Sequence, residues 1–300
     1  MTSRAVQAIV DTHQHLWDLD RFSLPWTKDE KSLAHSFLMA DYFKATAGLN
    51  IAQTVYMEVD VEPKQQEAEA RYVIELCQRD DNPMTAAVIS GRPASEEFGG
   101  YVAKFKSNPQ IKGVRQVLHV ATTPQGYCLD SKFVRGVQLL GERGLSFDLC
   151  MRSGELLDAD KLVAQCPHTR FIVDHCGNMS VQEKDNAKRK TWQLGMQHLA
   201  DHDNVVCKVS GIVASAAEKW TAADLAPNIR FTLETFGPDR VMFGGDWPVC
   251  TLRATYRAWV EALQEIVNGE SDTSRQKLFQ DNAVKFYGLP PKGKKWSLPK

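Results

Sequence analysis

Short apolar runs recur along the whole chain, near residues 8–15, 51–59, 84–90, 111–118, 145–151, 169–175, 204–210 and 240–246. Between them the apolar positions change period. Ala70, Val73, Ile74 and Cys77 follow i, i+3, i+4, i+7 spacing, and Leu252, Thr255, Tyr256, Trp259, Leu263 and Ile266 do so after the last run. Shorter versions stand at Phe98, Val102 and Phe105, at Phe133, Val137 and Leu140, at Trp192, Met196 and Leu199, and at Ile229, Leu233 and Phe236. Eight strand–helix alternations predict an α/β fold, a (β/α)8 TIM-type barrel. A doubly wound open sheet competes, but no Gly-rich dinucleotide turn follows the first run. Residues 1–300 read as a single domain, with the barrel at about 8–289 and a basic, Pro-rich tail at 290–300 that packs loosely. The one long connection, from Trp17 to about Ala47, carries Phe22, Pro25, Trp26 and Phe37. In a barrel it lies over the face where the βα-loops gather.

Composition narrows the class. Three hundred residues, 43% hydrophobic and 24% charged, can bury a core that needs no disulfides. A net charge of -1 argues against a general nucleic-acid or membrane surface. Seven cysteines are an odd count, and Cys150 and Cys207 lie inside apolar runs, as reduced thiols do. No run approaches a membrane span, and no signal-peptide apolar region precedes the first strand. The expectation is a soluble, cytoplasmic protein.

In such a barrel, chemistry gathers at the C-terminal ends of the strands. The first run ends in His13-Gln14-His15, whose imidazoles leave one strand face together and can hold a divalent metal or a carbonyl oxygen. Strand two offers Tyr56 and Glu58 on one face, with Val55, Met57 and Val59 toward the helices. Strand four offers Arg115 and, further out, His119. Strand five offers Asp148 and Arg152, strand six Asp174 and His175, strand seven Lys208, and strand eight Asp246. Each has a structural reading as well. Asp246 can cap the following helix with Pro248 in its first turn, although Thr251 competes for that task. Lys208 can be one half of a buried ion pair, and Arg115 and Arg152 can be rim charges. His198 and His202, at i, i+4 on a helix, belong at a solvated helix end on the bottom face, as does His168, while His35 lies in the long loop. Together, at matching ends of ordered strands, the remaining groups outweigh packing, because unpaired buried charge is costly.

The runs DTHQHLWD, FIVDHCGN, NVVCKVSG and RVMFGGDWPV, in this order, resemble the amidohydrolase-related family. They are most similar to the branch of sugar-acid lactonases (L-fuconolactonase, L-rhamnonolactonase) and the pyrone-dicarboxylate lactonase. The terminal DNAVKFYGL resembles that branch's closing helix, and the similarity spans about residues 8 to 290. The resemblance implies a barrel with a mononuclear or metal-free site. In it His13 and His15 are the first-strand pair, His175 the later histidine and Asp246 the carboxylate that activates water. One divalent metal, often zinc, is bound in some members and absent in others. The superfamily's bridging lysine on strand four is replaced by Arg115, against a binuclear centre. Glu58 stands where a neutral residue is expected, and HCGN replaces HLGK.

The expected activity is hydrolysis of a lactone or sugar-acid ester, with the His cluster stabilising the carbonyl oxygen. Arg115 and Arg152 are candidates for gripping a carboxylate or hydroxyls, and Trp17, Trp26 and Trp247 for apolar walls. Glu58, Lys208 and His119 complete the substrate-binding candidates. The competing readings are a metal-dependent decarboxylase of a related branch, a nuclease sharing the Asp-x-His-x-His start, and a non-catalytic binding barrel. The partner is a small molecule, with no nucleic acid or membrane involved, and oligomeric state is open.

Overall fold

The computed structural model describes residues 7–291 and 296. All eight apolar runs form strands: β1 (Ile9–Gln14), β2 (Ile51–Met57), β3 (Met84–Ser90), β4 (Ile111–Val117), β5 (Ser146–Cys150), β6 (Arg170–Val173), β7 (Val205–Val209) and β8 (Val241–Phe243). Each is parallel to the next, in the order of the chain. The helices are α1 (Met39–Ala45), α2 (Gln66–Gln78), α3 (Phe98–Ala103), α4 (Ser131–Glu142), α5 (Leu156–Gln165), α6 (Asn186–Ala200), α7 (Ala222–Phe236), α8 (Tyr256–Ile266), α9 (Asp272–Gln276) and α10 (Asn282–Tyr287). This is the (β/α)8 barrel that the alternation predicts.

Closure comes from β1 meeting the end of β8. Thr12 Oγ1 donates to the Phe243 carbonyl at 2.7 Å, and the Asp246 and His15 amides donate to the His13 and Trp247 carbonyls, each at 2.8 Å. Asp11 reinforces the seam. Its Oδ1 accepts from the His13 and Gly245 amides at 3.0 and 2.7 Å, and its Oδ2 from the Tyr42 and Tyr256 hydroxyls at 2.9 and 3.0 Å. Burial raises its pKa, and these four donors oppose that.

The barrel interior holds Val10, Val55, Met57, Ala86, Val88 and Met242, and α10 plugs it from the strand-start end with Ala283 and Tyr287. Val55 and Met57 therefore face inward, and the expected facing of β2 is corrected. Tyr56 faces the helices, and its hydroxyl donates to Glu69 of α2 at 3.0 Å. Both faces of β2 are apolar, so polarity did not mark its inside. Glu58 lies just past the strand, where the pleat no longer sets side-chain direction.

The helix after β8 also differs in its start. Neither Asp246 nor Thr251 caps it. Thr255 does, accepting from the Ala258 amide, while the Thr251 hydroxyl donates to the Pro248 carbonyl at 2.6 Å. The apolar stripe Tyr256, Trp259, Val260 and Leu263 is buried, and each such side chain contributes about 1.5–3 kcal/mol. The long first connection holds a single turn at Pro25–Asp29 and α1, and lies across the mouth. Of the C-terminal tail only 290, 291 and 296 are described, and Trp296 stacks on Phe43. All seven cysteines are buried and free. Among the described residues no helix is long and apolar enough to cross a membrane.

Candidate active site

The strand ends bring His13, His15, His175 and Asp246 together. The rings of His13 and His15 lie 4.9 Å apart, and those of His13 and His175 4.5 Å apart. Asp246 Oδ1 is 3.2 Å from His15 Nε2 and 3.7 Å from His13 Nε2. Four of the residues lining the mouth, Asp60, His175, Asn178 and Asp246, hold positive φ (50, 53, 57 and 52°), which costs on the order of 1–3 kcal/mol each and persists where the surroundings enforce it. Gly211, with φ +62°, lets this happen. A Cβ there would lie 2.3 Å from His175 Nδ1 and 2.9 Å from Asp246 Oδ2.

Hydrogen bonds decide which ring nitrogens carry protons. His15 Nδ1 lies 2.9 Å from the Met57 carbonyl, so it donates there and leaves a lone pair on Nε2. Arg115 Nη1 lies 3.2 Å from His13 Nε2 and can only donate, so His13 also keeps a lone pair on Nε2. His13 Nδ1 faces Asp174 Oδ1 at 3.6 Å. The His13 lone pair is thus met by a guanidinium, whereas that of His15 is met by a carboxylate oxygen. Two electron-rich atoms at 3.2 Å call for a proton or a cation between them. Ligands on a tetrahedral zinc at roughly 2.0–2.2 Å stand about 3.4 Å apart, close to the 3.2 and 3.7 Å found here, so His15 and Asp246 fit one divalent metal, and His13 joins them when its Nε2 lone pair is given up by Arg115. His13, Asp174 and His175 form a second such group. Burial first, then the neighbouring charges of His175 and Lys208, keeps His13 neutral well below the usual imidazole range; His175 is also lowered, chiefly by burial.

An ion network lies beneath. Arg115 Nε donates to Glu58 Oε1 and Arg115 Nη2 to the Glu58 carbonyl, both at 2.7 Å. Lys208 Nζ lies 2.5 Å from Asp148 Oδ2 and 3.3 Å from Asp174 Oδ1, with all three side chains fully buried. Burial opposes ionisation of Asp174, but Lys208, His175 and Arg115 outweigh it and bring its carboxyl down to about 2. In Asp148 burial prevails over Lys208 and raises the carboxyl to about 7.

A cavity of about 420 Å³ opens above the cluster, walled by His15, Arg115, His119, His175 and Asp246, with Trp26 on one side. Several sequence candidates stand elsewhere. Lys208 is enclosed below the cavity and has no access to a ligand there. Glu58 is fully buried behind Arg115. Arg152 is occupied by Glu155 at 2.7 Å and by the Val120 and Thr123 carbonyls at 2.5 and 2.7 Å. Trp17 and Trp247 are buried on either side of Phe37, packing the first loop against the barrel. His198 and His202 share Asp160 on the outer helices, and His35 stacks on Phe37. Sequence reading passed over Asp11, Ser210 and Gly211. Asp11 stands two places before His13, but an irregularity of β1 between Asp11 and Gln14 turns it to the helix side while His13 faces the mouth. Ser210, whose hydroxyl lies 2.9 Å from His175 Nδ1, carried no pattern of its own.

The family model described as amidohydrolase matches residues 10–289. The L-fucono-1,5-lactonase of Burkholderia multivorans is 27% identical, over 94% of this chain and 96% of that protein. The L-rhamnono-gamma-lactonase of Scheffersomyces stipitis is 26% identical, over 60% and 59%. A crystal structure of an amidohydrolase from Burkholderia multivorans with bound zinc superposes with a TM-score of 0.83 at 25% identity, covering 94% of this chain and 100% of that one.

Proposed function

The chain belongs to the amidohydrolase family, and from that premise we propose that it hydrolyses a neutral lactone of the sugar-acid type. The observation that carries the reading is the convergence of His13 Nε2 and His15 Nε2 on Asp246 Oδ1 at the floor of the cavity. Similarity to lactonases over nearly the whole chain supports the reaction class. His13, His15 and Asp246 would hold one divalent ion, zinc by analogy with the related structure, with His175 beside it. Such an ion supplies Lewis-acid polarisation of a carbonyl oxygen. Asp246 Oδ2, on the Gly211 side, takes a proton from the attacking water. His175 is held at Nδ1 by Ser210; with that hydroxyl donating, its Nε2–H faces the carbonyl oxygen as negative charge develops there. Asp246 then returns that proton to the ring oxygen as the acyl carbon–oxygen bond breaks, and the opened ring leaves as a hydroxy acid.

Charge pairing supports a neutral substrate. Among the described residues, Arg115 is the one cation on the cavity wall, and it is occupied by Glu58. Arg92, nearby, is paired with Asp60 at 2.8 Å. A dianionic lactone would meet no free counter-charge, and Asp246 would repel it. Steady-state kinetics on a panel of neutral aldonolactones and on a pyrone dicarboxylate tests this. Neutral lactones are expected to turn over with higher kcat/KM; faster turnover of the dicarboxylate, or release of carbon dioxide in place of ring-opened acid, would overturn the reading. Metal content is checked apart from activity: zinc-loaded protein retains about one equivalent, and His15→Ala retains far less.

A further inference from the structure

The molecule has a second large cavity, at the end of the barrel away from the chemistry. It is bounded by the starts of β4, β5 and β6, by the end of α4 and by α10, and encloses about 850 Å³ against about 420 Å³ at the mouth. Lys106, Lys112, Arg143, Arg170 and Lys285 all border it. The acid on its wall, Glu142, is engaged by Arg135 at 2.8 Å. Among the described residues none of the five cations makes an ion pair within 4 Å, although Asp239, paired with Lys277 at 2.7 Å, is near enough to Lys285 for its carboxyl to be lowered by that charge as well. A chain of net charge -1 therefore concentrates positive charge at one place.

The individual groups are set for an anion. Arg143 Nε is buried and has no hydrogen-bond partner. Such a donor carries a desolvation penalty unless something accepts from it. Arg170 is fixed by the Phe286 carbonyl and by the Gly144 carbonyl at 3.1 Å, with its guanidinium over the Phe286 ring. It forms a rigid positive wall. Lys112 stands half-buried beside it, and burial, then the Arg170 charge, pushes its ammonium pKa down. Crowded like charges without counter-ions favour any ligand that neutralises them.

We infer that this cavity is a binding site for a small polyvalent oxyanion. Arg143, Lys112, Lys106 and Lys285 would together neutralise its oxygens. The cavity is open to solvent on one side, so a hydrated oxyanion can enter it. Phosphate groups and clustered carboxylates share this chemistry. Because α10 both plugs the barrel and carries Lys285, occupancy would stabilise the closed barrel by mass action.

The test is calorimetric titration of the full chain with pyrophosphate and, separately, with citrate at low ionic strength. At least one should bind at a single saturable site. Lys112→Gln and Arg143→Gln should each weaken binding tenfold or more with kcat/KM on the lactone unchanged. Lys161→Gln, on α5 and paired with Asp158, should bind as wild type does. Both test positions are partly exposed, and removing an uncompensated cation should leave the anion-free Tm level or higher. The tighter of the two anions identifies the ligand as phosphate-like or carboxylate-like. No saturable binding of either anion by wild type, or equal binding by the variants, would overturn the site.

Discussion

The two ends of the barrel both carry charged residues and have opposite character. At the mouth each cation is matched: Arg115 by Glu58, Arg92 by Asp60, Lys208 by Asp148 and Asp174. What remains there is electron-rich, imidazole lone pairs and the Asp246 carboxylate. At the base five cations face a cavity whose one acid is engaged elsewhere. Pairing, more than the count of charges, sets the sign of a pocket. On the reading proposed above, the mouth offers lone pairs that would hold a divalent ion and a carboxylate that would take a proton from water, and the base offers unpaired cations to an anion.

The largest expected effect tests the electron-rich end. Asp246→Asn keeps the shape of the mouth and removes its base, so kcat should fall about 10²–10⁴-fold with the fold intact by circular dichroism. A variant retaining most of the wild-type rate would assign the base elsewhere. Next comes the matching itself. Lys208→Met leaves Asp148 buried without its cation and Asp174 with Arg115 alone at 3.4 Å, which should cost about 3–5 kcal/mol and lower Tm by ~10 °C in a thermal melt. An unchanged Tm would mean that the network is not what neutralises the mouth.

A smaller effect follows from Glu69, whose carboxyl is raised to about 8 by burial and then by Glu58. The folded protein keeps this proton up to about pH 8, whereas the unfolded chain releases it near 4.5. Its stabilising contribution is present below pH 4.5 and is lost as pH rises through 8. Glu69→Gln removes that loss, so the Tm of the variant relative to wild type should rise by several degrees between pH 5 and pH 9. A pH-independent difference would show that Glu69 is already ionised. The smallest effect is expected at Arg152. Its guanidinium is engaged by Glu155 and two carbonyls, so Arg152→Gln should change KM for a neutral lactone less than about threefold. A large rise in KM would mean that the rim holds substrate, and would blur the contrast between the two ends.

The fold was legible because apolar periodicity survives in any buried strand, and eight runs in one order admit few topologies. The pair His13 and His15 was legible because two residues on one short strand share a face whatever surrounds them. Lys208, Arg152, Trp17 and Trp247 show the limit. Each sits near the right end of a strand or loop, but contact with a cavity depends on which partners reach the side chain first. Asp148 and Asp174 enclose Lys208, Glu155 turns Arg152 aside, and Phe37 fills the space between the two tryptophans. The basal cations were invisible for a related reason. They come from four separate stretches of chain and disappear in a balanced total charge.

The sequence by itself determined the eight-fold alternation, the imidazole pair and the family to which the chain belongs, because these rest on local spacing and on the order of motifs. The tertiary structure alone decided which nitrogen of each histidine keeps its lone pair, which cations are neutralised and which are left facing a cavity. Those outcomes depend on distances of a few ångströms between segments up to 231 residues apart, as His15 and Asp246 are, and only barrel closure sets such distances.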